Sequence, residues 1–229
     1  MKSRYLLAAA AVFLLAALPP LFAERSLEVS VEAGADYAHT KWFGPLPVKL
    51  RPQMAIWLEK ADGTYVDTLY VTKAGGKGQW KGGASIRRPE ALPVWAAKRG
   101  LKAKDGLFMP DASTALPDAV AGATPTAGFA KSLALPAGLE PGLYRIRLEA
   151  NQSFDFNAAY PEKDGNVNGQ PSLVWEALIQ LGQAEATARL EAAGSGSPTG
   201  ADGLLSPGTK GLDSALGILG KVEARYRPR

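Results

Sequence analysis

The sequence predicts an all-β fold: an Ig-like antiparallel β-sandwich with long loop insertions, preceded by a cleaved signal peptide. Three observations carry this. Residues 28–32 and 144–149 alternate apolar with polar side chains, the period of a half-buried strand. Two β-prone runs, residues 54–59 and 64–72, flank Asp62-Gly63, which is a hairpin signature. Glycine and proline, 25 and 17 of 229 residues, punctuate the chain without any repeat period. Turn residues between about seven short strands favour a sandwich over helical or βαβ designs.

The elements follow in order. Glu-Val-Ser-Val-Glu at 28–32 opens the sheet, and residues 47–50 form a short strand after the turn at Gly44-Pro45. The hairpin of 54–59 and 64–72 comes next. Residues 73–83 are glycine-rich and read as a loop, with Trp80 between Lys77 and Lys81. Pro93 near the start of 90–99 predicts a short helix carrying Val94 and Trp95, because proline is tolerated in a first helical turn. Residues 102–142 read as a long connection whose apolar anchors are Phe108, Phe129, Leu133 and Leu135. Connections of that length are commonly functional. Pro141-Gly142 feeds an alternating strand to Asn151, extended by 153–157. Residues 172–180 read as a buried strand, 187–192 alternate weakly, 194–211 are loop, 212–219 are ambiguous, and 221–226 close the fold. Residues 24–229 therefore form one β-sandwich domain with a loop-rich insertion at about 73–142.

Residues 1–23 have the layout of a secretory signal peptide. Lys2 and Arg4 precede an apolar run at 5–18, Pro19-Pro20 ends it, and Ala23 offers a small residue at the cut. The same stretch, if retained, is a short N-terminal anchor. A periplasmic location follows. Without residues 1–23, the 26 basic residues fall to 24 against 22 acidic ones, which is no electrostatic footprint for nucleic acid. The chain has no cysteine. Disulfides, thiolate-bound metals, thioether-linked haem and a lipoprotein anchor are thereby excluded.

Four blocks carry a family resemblance: Asn151-Gln-Ser-Phe-Asp-Phe-Asn-Ala-Ala-Tyr160, Gly169-Gln-Pro-Ser-Leu-Val-Trp175, Ala55-Ile-Trp-Leu-Glu59 and Thr68-Leu-Tyr-Val-Thr72. From about Met54 onward the chain resembles DUF2271, a family of predicted periplasmic proteins without an assigned reaction. The resemblance implies a β-rich envelope protein. It also implies a periplasmic flavin transferase or a PepSY-type membrane protein as partner, and hence envelope redox chemistry.

Asp118-Ala-Val-Ala-Gly-Ala-Thr124-Pro-Thr126 resembles the flavin-attachment motif of FMN-binding domains in sodium-pumping quinone reductases. There the last threonine of a Ser/Thr-Gly-Ala-Thr run carries FMN through a phosphoester. The resemblance makes Thr124 the acceptor and Asp118 the motif's acid. Gly122 and Ala123 supply the small neighbours and pliant backbone that entry into a transferase requires. Ala121 replaces the usual hydroxyl residue, and Pro125 stiffens the following backbone. A packed Gly-Ala-Thr-Pro turn accounts for the same residues.

Other motifs are weaker. Asp164, Asn166 and Asn168 match the opening of a calcium loop, but Trp175 stands where the bidentate glutamate belongs. Asn151, Ser153, Asp155 and Asn157 share a face if extended, offering either a sugar- or peptide-binding row or merely a solvated strand face. His39 is the sole histidine, and no Gly-x-Ser-x-Gly elbow accompanies it. Met54 and Met109 are formal axial partners for it without supporting spacing. Trp57 and Trp175 lie in apolar runs and read as core, whereas Trp80 and Trp95 are candidates for an exposed ligand platform. Lys77, Lys81, Arg87 and Arg88 form either an acidic-partner patch or a solvated loop. With no visible acid, base and nucleophile set, the expectation is a non-enzymatic envelope protein accessory to flavin-dependent electron transfer. The alternative is a binding module for carbohydrate, peptide or a membrane protein.

Overall fold

The computed structural model describes residues 25–80, 87–111, 113–117, 120–163, 167 and 169–228. The signal-peptide expectation, Lys81, Asp118 and the calcium triad Asp164, Asn166 and Asn168 lie outside these residues.

The described chain is all-β. Its main sheet is built from β1 (Ser26–Ala33), β4 (Gln53–Lys60), β5 (Tyr65–Thr72), β6 (Ala121–Gly122), β7 (Phe129–Ala134), β8 (Gly142–Asn151), β9 (Leu173–Leu181), β10 (Ala186–Ser195), β11 (Ser206–Pro207) and β12 (Leu219–Arg227). β2 (His39–Phe43) and β3 (Leu46–Leu50) form a separate hairpin. The order across the main sheet is β6-β5-β4-β8-β9-β10-β12-β1-β7, with β11 beside β10.

This sheet curls on itself, and β10 makes the corner. Residues 186–190 of β10 pair with β12, and residues 191–195 pair with β9. The handover coincides with a bulge between Ala192 and Gly194. A bulge adds local twist and bends a strand, which lets one strand serve both halves of the curl.

Period-two alternation fills the interior. Val29 on β1, Ile56 on β4, Leu148 on β8, Trp175 on β9 and Tyr226 on β12 meet in one buried cluster. The outer face is covered as well. The chain after β5 forms α1 (Lys73–Lys77), a 3₁₀ turn (Pro89–Ala91) and α2 (Pro93–Lys98). Leu92, Val94, Trp95, Leu101 and Leu116 from this cap pack on Ala55, Trp57, Val71 and Val174. β4 is therefore buried on both faces, which explains its continuous apolar run.

Several expectations change. β7 lies in the stretch expected to be a long connection, and β2 was not anticipated; neither presents the alternation of a half-buried strand, since β2 has no fully buried residue and β7 only Leu133. The glycine-rich segment after β5 begins with the helical turn α1. Residues 153–157 do not extend β8, because the strand stops at Asn151 and Phe154 turns the chain at φ 59°. Among the described residues no helix is long and apolar enough to cross a membrane.

A charged layer lies between cap and sheet. Glu149 accepts hydrogen bonds from the backbone N–H of Val94 (3.2 Å), the backbone N–H of Trp95 (2.7 Å) and the Ser172 hydroxyl (2.6 Å). Burial pushes its carboxyl up to about 7, against the lowering effect of those donors and of Arg147. Glu59 accepts from the Trp57 indole (2.8 Å) and from Arg147 (3.2 Å).

Candidate functional site

Every ladder from β5 through β4, β8, β9, β10, β12 and β1 to β7 is antiparallel. The two ends of this series, β5 and β7, consequently run antiparallel to each other. They come together at one end, where the Tyr70 and Phe129 rings lie 6.1 Å apart and Lys131 Nζ sits 5.0 Å from the Tyr70 ring centroid. No ladder joins them. The cause lies in β5, where two register shifts against β4 leave Val66 and Leu69 without opposite residues. Two bulges in eight residues twist the strand away from β7 before the curl can close.

The resulting seam is a cleft of about 510 Å³ between residues 67–70, 120–122 and 131–136. Leu69, Tyr70, Ala121 and Leu133 give it apolar walls, while Asp67 and Lys131 supply opposite charges. Its size suits a small organic ligand, and mouths of curled sheets are common places for one.

β6 forms one margin. It pairs parallel with β5 through Val71 and Thr72, and the Val71 N–H donates to the Val120 carbonyl at 3.1 Å. Gly122 is required here, because a Cβ would stand 2.7 Å from Cε2 of Tyr70. Thr124, half-buried, follows two residues later. Its neighbours are tied down from both sides. The Tyr70 hydroxyl donates to the Ala123 carbonyl at 2.9 Å, and the Tyr37 hydroxyl donates to the Pro125 carbonyl at 3.1 Å. Burial raises both phenols, Tyr70 to about 12 with Tyr37 adding to the effect, so both remain donors at neutral pH. Of this run Gly122 lines the cleft, and Ala123 and Thr124 follow it directly in the chain.

The remaining candidates are mostly structural. Asn151 is 3% exposed and lies beneath the cap. It accepts from Arg88 at 3.0 Å and donates to the Gln170 carbonyl at 2.9 Å. Asp155, pushed up by burial, accepts from Ser214. Asn157 caps a turn, accepting from the backbone of Ala159 and Tyr160 and donating to the Gly211 carbonyl. These three do not form a binding row, since β8 has already ended. Trp95 is fully buried, with its indole N–H on Thr68, and is no platform. Trp57 and Trp175 are core as expected. Trp80 is half-buried under the Arg88 guanidinium, 5.3 Å from its ring centroid. It lines a void of about 10 Å³, room for about one water.

The basic patch is also revised. Arg88 is 4% exposed and pairs with Glu90 at 2.6 Å and with Ser153. Arg87 pairs with Asp105. Met54 lies in the interior core and Met109 against the cap void, while His39 lies on β2.

The seam itself left two legible traces. One was the paired β-prone runs of the β4–β5 hairpin, and the other was the Gly-Ala-Thr run. The bulges that open it depend on register and were not visible. Compared with family models, curated proteins and solved structures, the chain matches none of them.

Proposed function

We propose that the protein is an exported carrier module for envelope redox chemistry that accepts a flavin on Thr124 and houses it at the seam. The carrying observation is proximity in the chain: a half-buried threonine in a motif-like Gly-Ala-Thr run lies two residues beyond Gly122, which lines a ligand-sized cleft. The residues fit the group. Lys131 offers a cation, and buried Tyr70 forms part of the wall, with the loop packed on its ring at Gly122.

The modification is a group transfer without redox change. The Thr124 hydroxyl oxygen attacks the flavin-side phosphorus of FAD, supplied with a flavin transferase. A phosphoester forms, the pyrophosphate bond to AMP breaks, and AMP leaves while the hydroxyl proton passes to a base of the transferase. Flavin, once attached, supplies one- or two-electron chemistry. The role of this chain is to position it and shield one face.

The test is intact mass after co-expression with an active flavin transferase. A gain of one FMN that disappears in Thr124→Ala supports the reading, and an unchanged wild-type mass rejects it. The cleft also supports a second reading, a module that binds a small ligand non-covalently. In that case Thr124→Ala retains ligand and Gly122→Leu, which fills the seam, loses it.

A further inference from the structure

The β2–β3 hairpin stands apart from the main sheet, and its tip is apolar on both faces. Residues 42–47, Trp-Phe-Gly-Pro-Leu-Pro, are all exposed. Trp42 is 62% exposed, Phe43 46% and Leu46 61%. The register pairs Phe43 with Leu46 and Trp42 with Pro47, so these pairs project to opposite sides of the hairpin. Gly44 at φ 59° followed by Pro45, whose ring fixes a negative φ, makes a two-residue turn with little freedom.

A surface that docks on a protein needs one apolar face. A tip that is apolar on both faces suits immersion, where every side meets the same solvent. Charge marks the depth. Lys41 lies two residues behind Phe43 on the same face, and Lys49 lies two behind Pro47 on the opposite face. Arg51 follows at the base, and no acidic residue occurs between Asp36 and Glu59. Two strand residues span roughly 7 Å. That is the step from headgroup level to the upper acyl region in which interfacial aromatics sit.

The hairpin is also braced. Phe43 meets Phe154 edge-on at 5.6 Å, and Phe154 meets Phe156 at 6.2 Å. Lys41 Nζ lies 5.3 and 5.8 Å from those two ring centroids. Phe154 holds this place at a positive φ that phenylalanine rarely adopts, the kind of backbone strain that concentrates at functional positions. Among the described residues, Glu162 lies 3.6 Å from Lys41 at the tip's collar.

We infer that the tip of the β2–β3 hairpin inserts into an anionic lipid surface, with Trp42, Phe43 and Leu46 immersed and Lys41 and Lys49 at the headgroups. This holds the cleft-bearing body at the membrane independently of any flavin.

The chain's lack of cysteine makes a site-specific probe simple. Full-length Leu46→Cys, labelled with an environment-sensitive NBD dye, is titrated with phosphatidylcholine vesicles and with vesicles that also contain phosphatidylglycerol. Leu204→Cys, at another exposed leucine, is the control. The apolar run at residues 5–18 would draw the chain to both vesicle types alike, so the readout is the local environment of the dye. The expected result is a blue shift at residue 46 on the mixed vesicles, absent at residue 204. Binding measured from it weakens roughly thirty-fold in Lys41→Gln/Lys49→Gln. An unchanged probe, or an equal shift on pure phosphatidylcholine, overturns the inference. A shift that grows with protein concentration without vesicles also overturns it, by showing that a second copy covers the tip.

Discussion

Glu149 on β8 accepts the backbone N–H of Trp95 on α2 at 2.7 Å, a carboxylate-to-cap bond with no access to water. It fixes the cap's longest helix on the outer face of the sheet. Its ionised form is stabilised by three donors and destabilised more by burial.

This bond gives the fold a pH dependence of definite sign. The folded-state value of Glu149 is raised to about 7 from 4.5, so the folded protein holds a proton there that the unfolded chain releases. The stabilisation is complete below about pH 4.5 and is lost as pH rises through about 7. The shift corresponds to about 3 kcal/mol. Chemical denaturation from pH 5 to 8 should show wild type losing stability relative to Glu149→Gln, whose neutral amide keeps the shape. A difference between the two that is flat with pH would refute it.

Thr124 and Thr126 separate attachment from mere proximity. With an active flavin transferase, Thr126→Ala should keep the mass gain and in-gel fluorescence that Thr124→Ala loses. Loss in both variants would point to a general disturbance of the loop.

Gly122 tests how tightly the seam is built. A Cβ there stands 2.7 Å from the Tyr70 ring, so Gly122→Ala should cost about 1–3 kcal/mol in urea unfolding through overpacking. The exposed Gly208, where a Cβ meets nothing within 4 Å, sits at φ 86° and reports backbone strain alone. A smaller loss in Gly122→Ala than in Gly208→Ala would mean the ring moves freely.

Arg88 and Glu90 form an ion pair within the cap, 4% and 2% exposed. Arg88→Met alone should destabilise by about 3–5 kcal/mol, because it leaves a buried carboxylate unpaired. Adding Glu90→Leu should recover much of that loss. Equal costs for the single and double variants would show that the pair contributes only through packing.

Much of this architecture was readable where burial on one face imposes alternation. β1 is such a case; the β4–β5 hairpin was legible instead from its Asp-Gly turn between β-prone runs, and α2 was announced by Pro93. β2 was not readable because nothing buries it, and β7 because Ala130, Lys131 and Ser132 dilute its pattern between Phe129 and Leu133. The polar network under the cap was misread for a related reason. Arg88, Asn151 and Trp95 look like surface chemistry until the insertion folds over them. The Gly-Ala-Thr run was visible, but the cleft beside it arises from the bulges of β5, which no local pattern announces.

β12, formed from the last residues described, lies between β1 and β10 and pairs with both. β1 therefore has no neighbour on that side until β12, far later in the sequence, is in place. A chain without β12 in place cannot complete its curl, because β1 and β7 are then joined to no other strand of the sheet. Loss of the final strand would split the sheet in the middle rather than fray its border.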